Sequence, residues 1–490
     1  MSRRWAVGFA AVLAVSGCSL VARVDVSPTG APGDQGAYPV AMSADGRYVS
    51  FASSASNLVP GDTNGAQDIF RRDLLARTTI RVSLKPDGSQ LAGASRGGSM
   101  DAAGAVVVFD TSDGLVAGDT NTSQDVYVRD IDAGTTTLAS VDAGGGLLVG
   151  PPVSGSRSSA RSGGISANGR LIAVTLQTAN VIARRVFIRD RTALTTTEVD
   201  LAGDAFRSVT AMSGDGNHLA LAGIQACALC AHGAGSVIDL GSEQLAQRTF
   251  CGGTTVAALS SDGRRVVLNP GDSGSECTFV FGPAVWYRAA TADTLQPLTF
   301  SDSAAATLQV VAVGSNASWL AITDTSKTVR QISTFTVNAN FTFAWTTVSA
   351  DAWGQVGNAS SSAAVMSADG RKIAFSSRAS NLVGDEPAMA FDHLYVRDVN
   401  IPSLSSVSPA SASRGTSVIS LSVFGSGLHG PLTIIVSGVG AIGNALTRVD
   451  GNQASGSGLT VPADAAPGPH DVWVFQGSSS ARCSGCFTVR

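Results

Sequence analysis

The chain has 490 residues, enough for several average domains or for one large closed β architecture, so core size is not limiting. Its 55 glycines, its 14% charged residues and the lack of any long stretch with helical periodicity point to many short strands joined by tight turns, an all-β class. A formal net charge of -4 without runs of lysine or arginine excludes the basic stripe that neutralises phosphates, and with it nucleic acid as a partner.

Arg3 and Arg4 precede an apolar run from Trp5 to Val15, which is the layout of a secretory signal and too short for a permanent membrane span. Val15-Ser16-Gly17-Cys18 resembles the lipobox of bacterial lipoproteins. The resemblance implies cleavage after residue 17, lipidation of Cys18 and a membrane contact made through acyl chains. Ser19 after the cysteine implies sorting to the outer membrane, on its periplasmic face or at the cell surface.

A repeat then organises the chain. Ser43-Ala44-Asp45-Gly46, Ser213-Gly214-Asp215-Gly216, Ser260-Ser261-Asp262-Gly263 and Ser367-Ala368-Asp369-Gly370 each precede an apolar strand. Weaker copies stand at Asp101-Ala102-Ala103-Gly104 and Ser166-Ala167-Asn168-Gly169. Asx-Gly between two strands is a hairpin signal, because Gly accepts positive φ and the Asx side chain caps the turn. Gly46, Gly104, Gly169, Gly216 and Gly263 are 58, 65, 47 and 47 residues apart, and Gly370 follows 107 later, a gap that holds two units. Ser315-Asn316-Ala317-Ser318 reads as the degenerate sixth of seven copies.

A second strand recurs at Asp68 to Asp73, Asp125 to Asp130, Arg185 to Asp190 and His393 to Asp398, ending each time in Arg-Asp. A Thr-rich third strand follows at Thr78 to Ser83, Thr135 to Ser140 and Thr195 to Val199. With the strand leading into the next copy, these make four-stranded modules at a period of about 50 residues, the signature of a β-propeller. The seventh unit stops at Asp398 without its third strand. Arg23-Val24-Asp25-Val26-Ser27 matches Arg81-Val82-Ser83-Leu84, so the N-terminal segment is expected to complete the last blade and close the ring. Seven blades are expected, six if the sixth copy is an insertion.

The repeats resemble those of TolB-like (WD40-like, PD40) propellers over about Val21 to Asn400, most specifically in Ser43 to Asp73 and Ser367 to Asp398. Units four to six, Cys227 to Leu240 above all, depart from that pattern. From Ile401 the composition changes. Val407-Ser408-Pro409, the alternating Val418 to Val423, Gly425-Ser426-Gly427 and Asp471 to Phe475 resemble an IPT/TIG module, which implies an immunoglobulin-like β-sandwich over 401–490 serving as spacer or adhesion platform. The expected division is thus a signal over 1–17, a propeller over 18–400 and the sandwich.

Asp62, Asn64 and Asp68 recur as Asp119, Asn121 and Asp125 at the same offsets, a candidate for structural calcium although no closing bidentate acid follows. An Asx-stabilised loop accounts for the same residues, and no other cofactor is implied. Six cysteines remain once Cys18 is set aside, an even number suited to disulfides in an oxidising compartment. Cys483 and Cys486 would form a small loop, and Cys227, Cys230, Cys251 and Cys277 two bridges or, alternatively, a zinc site. The five histidines hold no matching repeat positions, and Gly271-Asp272-Ser273-Gly274 lacks triad partners.

With no catalytic constellation, the sequence reads as a non-enzymatic, monomeric, lipid-anchored scaffold that binds an envelope or extracellular protein or peptide across its face. Two alternatives are a polysaccharide-binding or polysaccharide-degrading, lyase-like propeller and a calcium-dependent adhesion protein.

Overall fold

The computed structural model describes residues 21–149, 159–177, 184–201, 207–227, 230–240, 248–250, 255–269, 284–288, 293–297, 308–314, 319–324, 328–336, 345–350, 356–384, 390–399, 403–416, 419–428, 432–442, 446–449, 451–476 and 479–490. Among them every regular element is a strand. Seven antiparallel four-stranded sheets follow one another along the chain. The first is Ala37–Met42, Tyr48–Ser53, Asp68–Asp73 and Thr78–Arg81, and the second is Ser95–Met100, Val106–Thr111, Asp125–Asp130 and Thr135–Leu138. The third is Ser159–Ile165, Leu171–Gln177, Arg184–Asp190 and Thr195–Val199. The fourth to sixth begin at Arg207–Met212, Thr255–Leu259 and Leu308–Val313. The seventh joins Ser361–Met366, Lys372–Ser377 and His393–Asp398 to the N-terminal Val21–Arg23.

Each S-x-D-G element folds on its own chemistry. Ser43 Oγ donates to Asp45 Oδ1 (2.6 Å) and accepts from the Tyr48 amide (2.8 Å), while Asp45 Oδ1 also accepts from the Arg47 amide (2.9 Å). Ser213 with Asp215, Ser260 with Asp262, Ser367 with Asp369 and Ser166 with Asn168 repeat the Ser-to-Asx bond. In the second sheet Asp101 does the work of both residues, its Oδ1 accepting from the Ala105 and Val106 amides. The Arg-Asp strand ends tie back to the same turns, Arg47 to Asp73 at 2.7 Å and Arg170 to Asp190 at 2.6 Å. The Arg170 guanidinium and the Ala193 and Thr192 amides hold the Asp190 carboxyl down at about 2, against the opposing effect of burial.

These turns also bind one sheet to the next. Ala44 N donates to Ala102 O (2.8 Å), Ala102 N to Ala167 O (3.0 Å), Ala167 N to Gly214 O (2.8 Å) and Asp215 N to Ser261 O (2.9 Å). Ala368 N donates to Ala44 O (3.0 Å), carrying the series across the join between the seventh and first sheets. The turn glycines permit this approach. Gly104 has φ +75, and a Cβ there would sit 2.5 Å from the Tyr48 ring of the preceding sheet. Gly263 has φ +65 and would meet the His218 ring at 2.1 Å. Both the backbone conformation and the space exclude a side chain.

The first strands form the inner wall. Each touches the first strand of both neighbouring sheets, and the seventh touches the first, so the series closes on itself. Every one of them carries a β-bulge, at Val40, Gly98, Gly163, Thr210, Ala257, Val311 and Ala363. A bulge bends and twists a strand, and here it does so at almost the same height in each sheet. Phe51, Phe109 and Phe375 on the second strands stack on Phe70, Tyr127 and Tyr395 of the third, and all six are buried between sheets.

The N-terminal strand closes the ring in the register its sequence match implies. Arg23 lies opposite Tyr395 as Arg81 lies opposite Phe70, and its guanidinium donates to the Tyr395 hydroxyl (3.0 Å). Asp25 then takes the place that Ser83 holds in the first sheet. Its Oδ2 lies 2.6 Å from His393 Nδ1 and its Oδ1 accepts from the Leu394 amide (3.0 Å), with both side chains buried. Burial pushes the Asp25 carboxyl up, and His393 pulls it back.

One expectation is corrected. The strand leading into each S-x-D-G belongs to the sheet that follows the turn, not to the module before it, so the expected modules are one strand out of phase. The cause is the turn itself: the Ser43 amide bonds Tyr48 O across it, which ties Ala37–Met42 to Tyr48–Ser53 in one sheet. The divergent fourth unit also forms a sheet. His218–Cys227 and Cys230–Asp239 pair along their whole length. The degenerate copy at 315–318 lies outside the described residues, but the strands on either side, Leu308–Val313 and Trp319–Asp324, pair as the repeat requires.

The C-terminal residues form two further sheets around one core that includes Leu421, Val423, Ile434, Val472, Val474 and Phe487. One sheet has Ser403–Ser408, Ile419–Leu428, Gly451–Leu459 and Leu446–Val449. The other has Ser411–Ala412, Ser479–Val489, Gly468–Gln476, Leu432–Val436 and Gly440–Ile442.

Two substitutions test this account. Gly104→Ala forces a strained φ and a clash with Tyr48, so it should destabilise the ring by ~1–3 kcal/mol in urea unfolding. Asp25→Ala leaves His393 buried without its carboxylate and should cost ~3 kcal/mol or more by the same measurement, whereas Ser83→Ala at the equivalent place in the first sheet should cost less.

Candidate functional site

The loops between second and third strands and those leading into the first strands gather at the end of the ring opposite the S-x-D-G turns. The predicted calcium residues lie here, and their carboxylates already have protein partners. In the first sheet Arg81 approaches Asp62 at 3.0 Å and Asp68 at 3.3 Å, with all three side chains buried. Gln90 donates to Asp62 Oδ1 (2.8 Å), and Ser83 to Asp68 Oδ1 (2.6 Å). Asn64 donates to Leu91 O (3.0 Å) and accepts from the Ala66 amide (2.9 Å). The Arg81 guanidinium thus supplies positive charge between the two acids. Burial pushes the Asp68 carboxyl up, with Ser83 and Arg81 opposing.

The second sheet solves the same problem with different residues. Leu138 stands opposite Tyr127 where Arg81 stands opposite Phe70. The Tyr127 hydroxyl donates instead to Asp119 Oδ2, Asn121 donates to Asp125 Oδ2 (2.8 Å) and Ser140 donates to Asp125 Oδ1 (2.7 Å). Burial, reinforced by Asp119, pushes the Tyr127 hydroxyl well above its ordinary range and keeps it a donor. Among the described residues no three His, Cys, Asp or Glu side chains are grouped to hold a metal ion.

Of the cysteines, Cys483 and Cys486 form a disulfide on the Ser479–Val489 strand. Cys227 and Cys230 are backbone partners at the tip of their hairpin. Cys18, Cys251 and Cys277 lie outside the described residues.

A different set of residues is accessible and, among the described residues, unpaired. Five positions ahead of Asp101 and Ser166, on adjacent first strands, stand Arg96 and Arg161, and the same position in the first sheet is Tyr38. All three are exposed, Tyr38 at 43%. The rung continues as Gln309 and Ser362, which are also exposed. Because the first strands are the inner wall, these side chains surround the mouth of the ring.

Asp110 lies behind the two arginines. It is directly opposite Arg96 across the strand pair, and its Oδ1 accepts from the Ser162 amide (3.1 Å) of the next sheet, beside Arg161. Burial pushes its carboxyl up to about 7, against the Ser162 amide and the charges of Arg161 and Arg96. Neither guanidinium makes an ion pair or hydrogen bond with another described residue. The hydroxyls of Ser95 and Ser162 are buried without partners. Gly97 and Gly98 keep the wall thin, since a Cβ on either would strike Val40 or Ser162 of the flanking sheets. Sequence reading missed this site. Its signal is an arginine at one fixed offset in two strands otherwise made of small residues, Ser95-Arg96-Gly97-Gly98-Ser99-Met100 and Ser159-Ala160-Arg161-Ser162-Gly163-Gly164-Ile165.

Neither a family model nor a curated protein matches the sequence. Solved structures do match the fold. An oligogalacturonate lyase in complex with manganese superposes with a TM-score of 0.50 at 11% identity, covering 77% of this chain and 92% of its own. The β-propeller domain of the Trilobed protease from Pyrococcus furiosus gives 0.46 at 10% identity, covering 74% and 96%. An oligogalacturonate lyase from Vibrio parahaemolyticus gives 0.46 at 9% identity, covering 78% and 97%. The expectation of a non-enzymatic protein is corrected by the first of these likenesses: the architecture is one on which an enzyme is built, and the lack of a sequence motif is no ground for excluding catalysis. The ring of four-stranded sheets in this chain is a β-propeller.

Proposed function

We propose that this chain is an exported, lipid-anchored protein whose seven-bladed propeller binds and degrades an acidic polysaccharide by a lyase-type elimination. The observation that carries the reading is the pair of guanidiniums, Arg96 and Arg161, exposed at the mouth of the ring without an ion-pair partner among the described residues and beside two serine hydroxyls that also lack one there. Two arginines on adjacent strands suit the carboxylate of a uronate unit, because a planar guanidinium donates to it in a fork. Pairing that carboxylate with positive charge makes the adjacent C–H easier to deprotonate: the proton passes to water, a C=C bond forms as the C–O bond to the glycosidic oxygen breaks, and that oxygen takes up a proton from water. An oligogalacturonate lyase with the same fold supports the substrate class.

Seven four-stranded sheets, each touching the next through its first strand, support the blade count. The S-x-D-G repeats support a TolB-like affiliation, and the two C-terminal sheets around one core support an IPT/TIG-like sandwich over 401–490. Arg3 to Cys18 supports a signal over 1–17 with lipidation at Cys18, and Ser19 supports placement at the outer membrane, where extracellular polysaccharide is met.

Two measurements test the reading. Incubation with polygalacturonate should release unsaturated uronate products, read by ultraviolet absorbance. Arg96→Ala and Arg161→Ala should each weaken binding of oligogalacturonate about tenfold or more in calorimetry. Binding should also weaken as the pH rises through about 7, because Asp110 then ionises and offsets one guanidinium while the ligand carboxylate stays charged throughout. Asp110→Asn should flatten that dependence. Equal binding by the arginine variants would refute the reading.

A further inference from the structure

The short strand Val21–Arg23 determines the end at which the N-terminal chain meets the ring. Val21 stands opposite Arg397 and Arg23 opposite Tyr395. The strand His393–Asp398 runs toward the S-x-D-G turns, because Asp398 lies opposite Lys372 and the Val399 amide donates to Arg371 O (2.5 Å) just past Gly370. Val21 is therefore at the S-x-D-G end, opposite the mouth where Arg96 and Arg161 stand. Cys18 precedes it by three residues, a reach of at most about 10 Å.

The same end carries two leucines that the fold does not use. The turns between third and fourth strands lie there. Asp73 Oδ1 accepts from the Leu75 and Ala76 amides (2.9 Å each), and Asp190 Oδ1 from the Thr192 and Ala193 amides (2.9 Å each), so both turns are held firmly. Leu75 on the first is 77% exposed and Leu194 on the second 67%, the two most open large hydrophobic side chains among the described residues. Leu194 also has φ +56, at the turn position that Gly134 (φ +67) fills in the second sheet. A leucine there bears the cost of the left-handed conformation and gains no packing in return. Beside these turns Arg47, Arg170 and Arg191 are matched by Asp73, Asp190 and Asp130.

We propose that the S-x-D-G end of the propeller lies against the lipid bilayer, with Leu75 and Leu194 in its interfacial layer and the mouth turned away from it. The proposal rests on the lipid-anchored reading of Cys18. Strands of six residues stand about 20 Å tall, so a tether of about 10 Å at one end cannot seat the opposite end on the bilayer that holds it. The anchor point belongs to the seventh sheet, Leu75 to the first and Leu194 to the third, and points spread around the ring bring its flat end rather than its edge to the surface. Leucines two sheets apart make no continuous patch for a protein to cover, yet both reach a plane laid across the end. Burying either one raises the docked population about tenfold. Docking of this kind leaves Arg96 and Arg161 open to a polymer arriving from the aqueous side.

The test uses the full lipidated chain in vesicles of phosphatidylethanolamine and phosphatidylglycerol, with benzoylphenylalanine replacing Leu75, Leu194 or Tyr38 in turn. Irradiation should attach phospholipid at 75 and at 194 about tenfold more than at 38, which lies at the mouth. Leu75→Asp should lower the attachment at 194 about tenfold, while flotation with the vesicles persists because the acyl chains carry it. Leu194→Gly should lower attachment at 75 without loss of melting temperature, which separates the lipid contact from any structural role. Attachment that disappears in high salt would mean headgroup charge rather than leucine makes the contact, and overturns the proposal. So does attachment at 38 equal to that at 75. Attachment at neither end from a chain that floats would place the C-terminal module between ring and bilayer, and refutes the orientation alone. Failure of the wild-type chain to float or to take up palmitate refutes the anchor, and the orientation with it.

Discussion

The propeller depends on the hydrogen bonds that run from turn to turn between sheets. Each S-x-D-G element is stable locally, with Ser and Asp capping its own backbone, and the amide of its second residue, or of the third in the fourth sheet, bonds the next turn. The glycine serves both purposes, since positive φ closes the hairpin and the missing Cβ lets the preceding sheet approach. Local and global requirements agree at one residue, which is the condition for a repeat to specify a single structure. The N-terminal strand completes the same logic, and its buried Asp25–His393 pair holds the last joint of the ring.

Much of this was legible. Asp-Gly turns declare themselves because their chemistry is local, and the spare strand at Arg23 declared itself because it copies Arg81 and Val82. The assignment of strands to sheets was not legible, since a repeat has no intrinsic first strand until the turn hydrogen bonds decide which two strands share a sheet. The partners of the acidic loops were not legible for a related reason. Asp62 and Asp68 resemble cation ligands in sequence, yet the balancing charge comes from Arg81 on the fourth strand, and in the second sheet the partner of Asp119 is Tyr127. Those partners lie outside the motif. Arg96 and Arg161 were hidden because aligning the turns draws the eye to what repeats, and a site on a ring is made by what does not.

That contrast separates stability from function in this fold. The end of the propeller with the S-x-D-G turns is nearly uniform and its charges are matched in pairs such as Arg47–Asp73 and Arg170–Asp190. At the opposite end the first strands diverge: Tyr38, Arg96 and Arg161 occupy one arc of the mouth, while Gln309 and Ser362 carry no charge. Asp110 lies buried beside both guanidiniums, and burial pushes its carboxyl up to about 7. A scaffold rigid by repetition is therefore able to carry a cationic arc without an internal acid to quench it at low pH.

The most direct test of the central claim is a crystal structure of the full chain with an oligogalacturonate bound. The account predicts a uronate carboxylate within hydrogen-bond distance of the guanidiniums of both Arg96 and Arg161, with the sugar chain crossing the mouth of the ring. An oligosaccharide seated elsewhere, with the two arginines turned onto the protein's own acids, would contradict it.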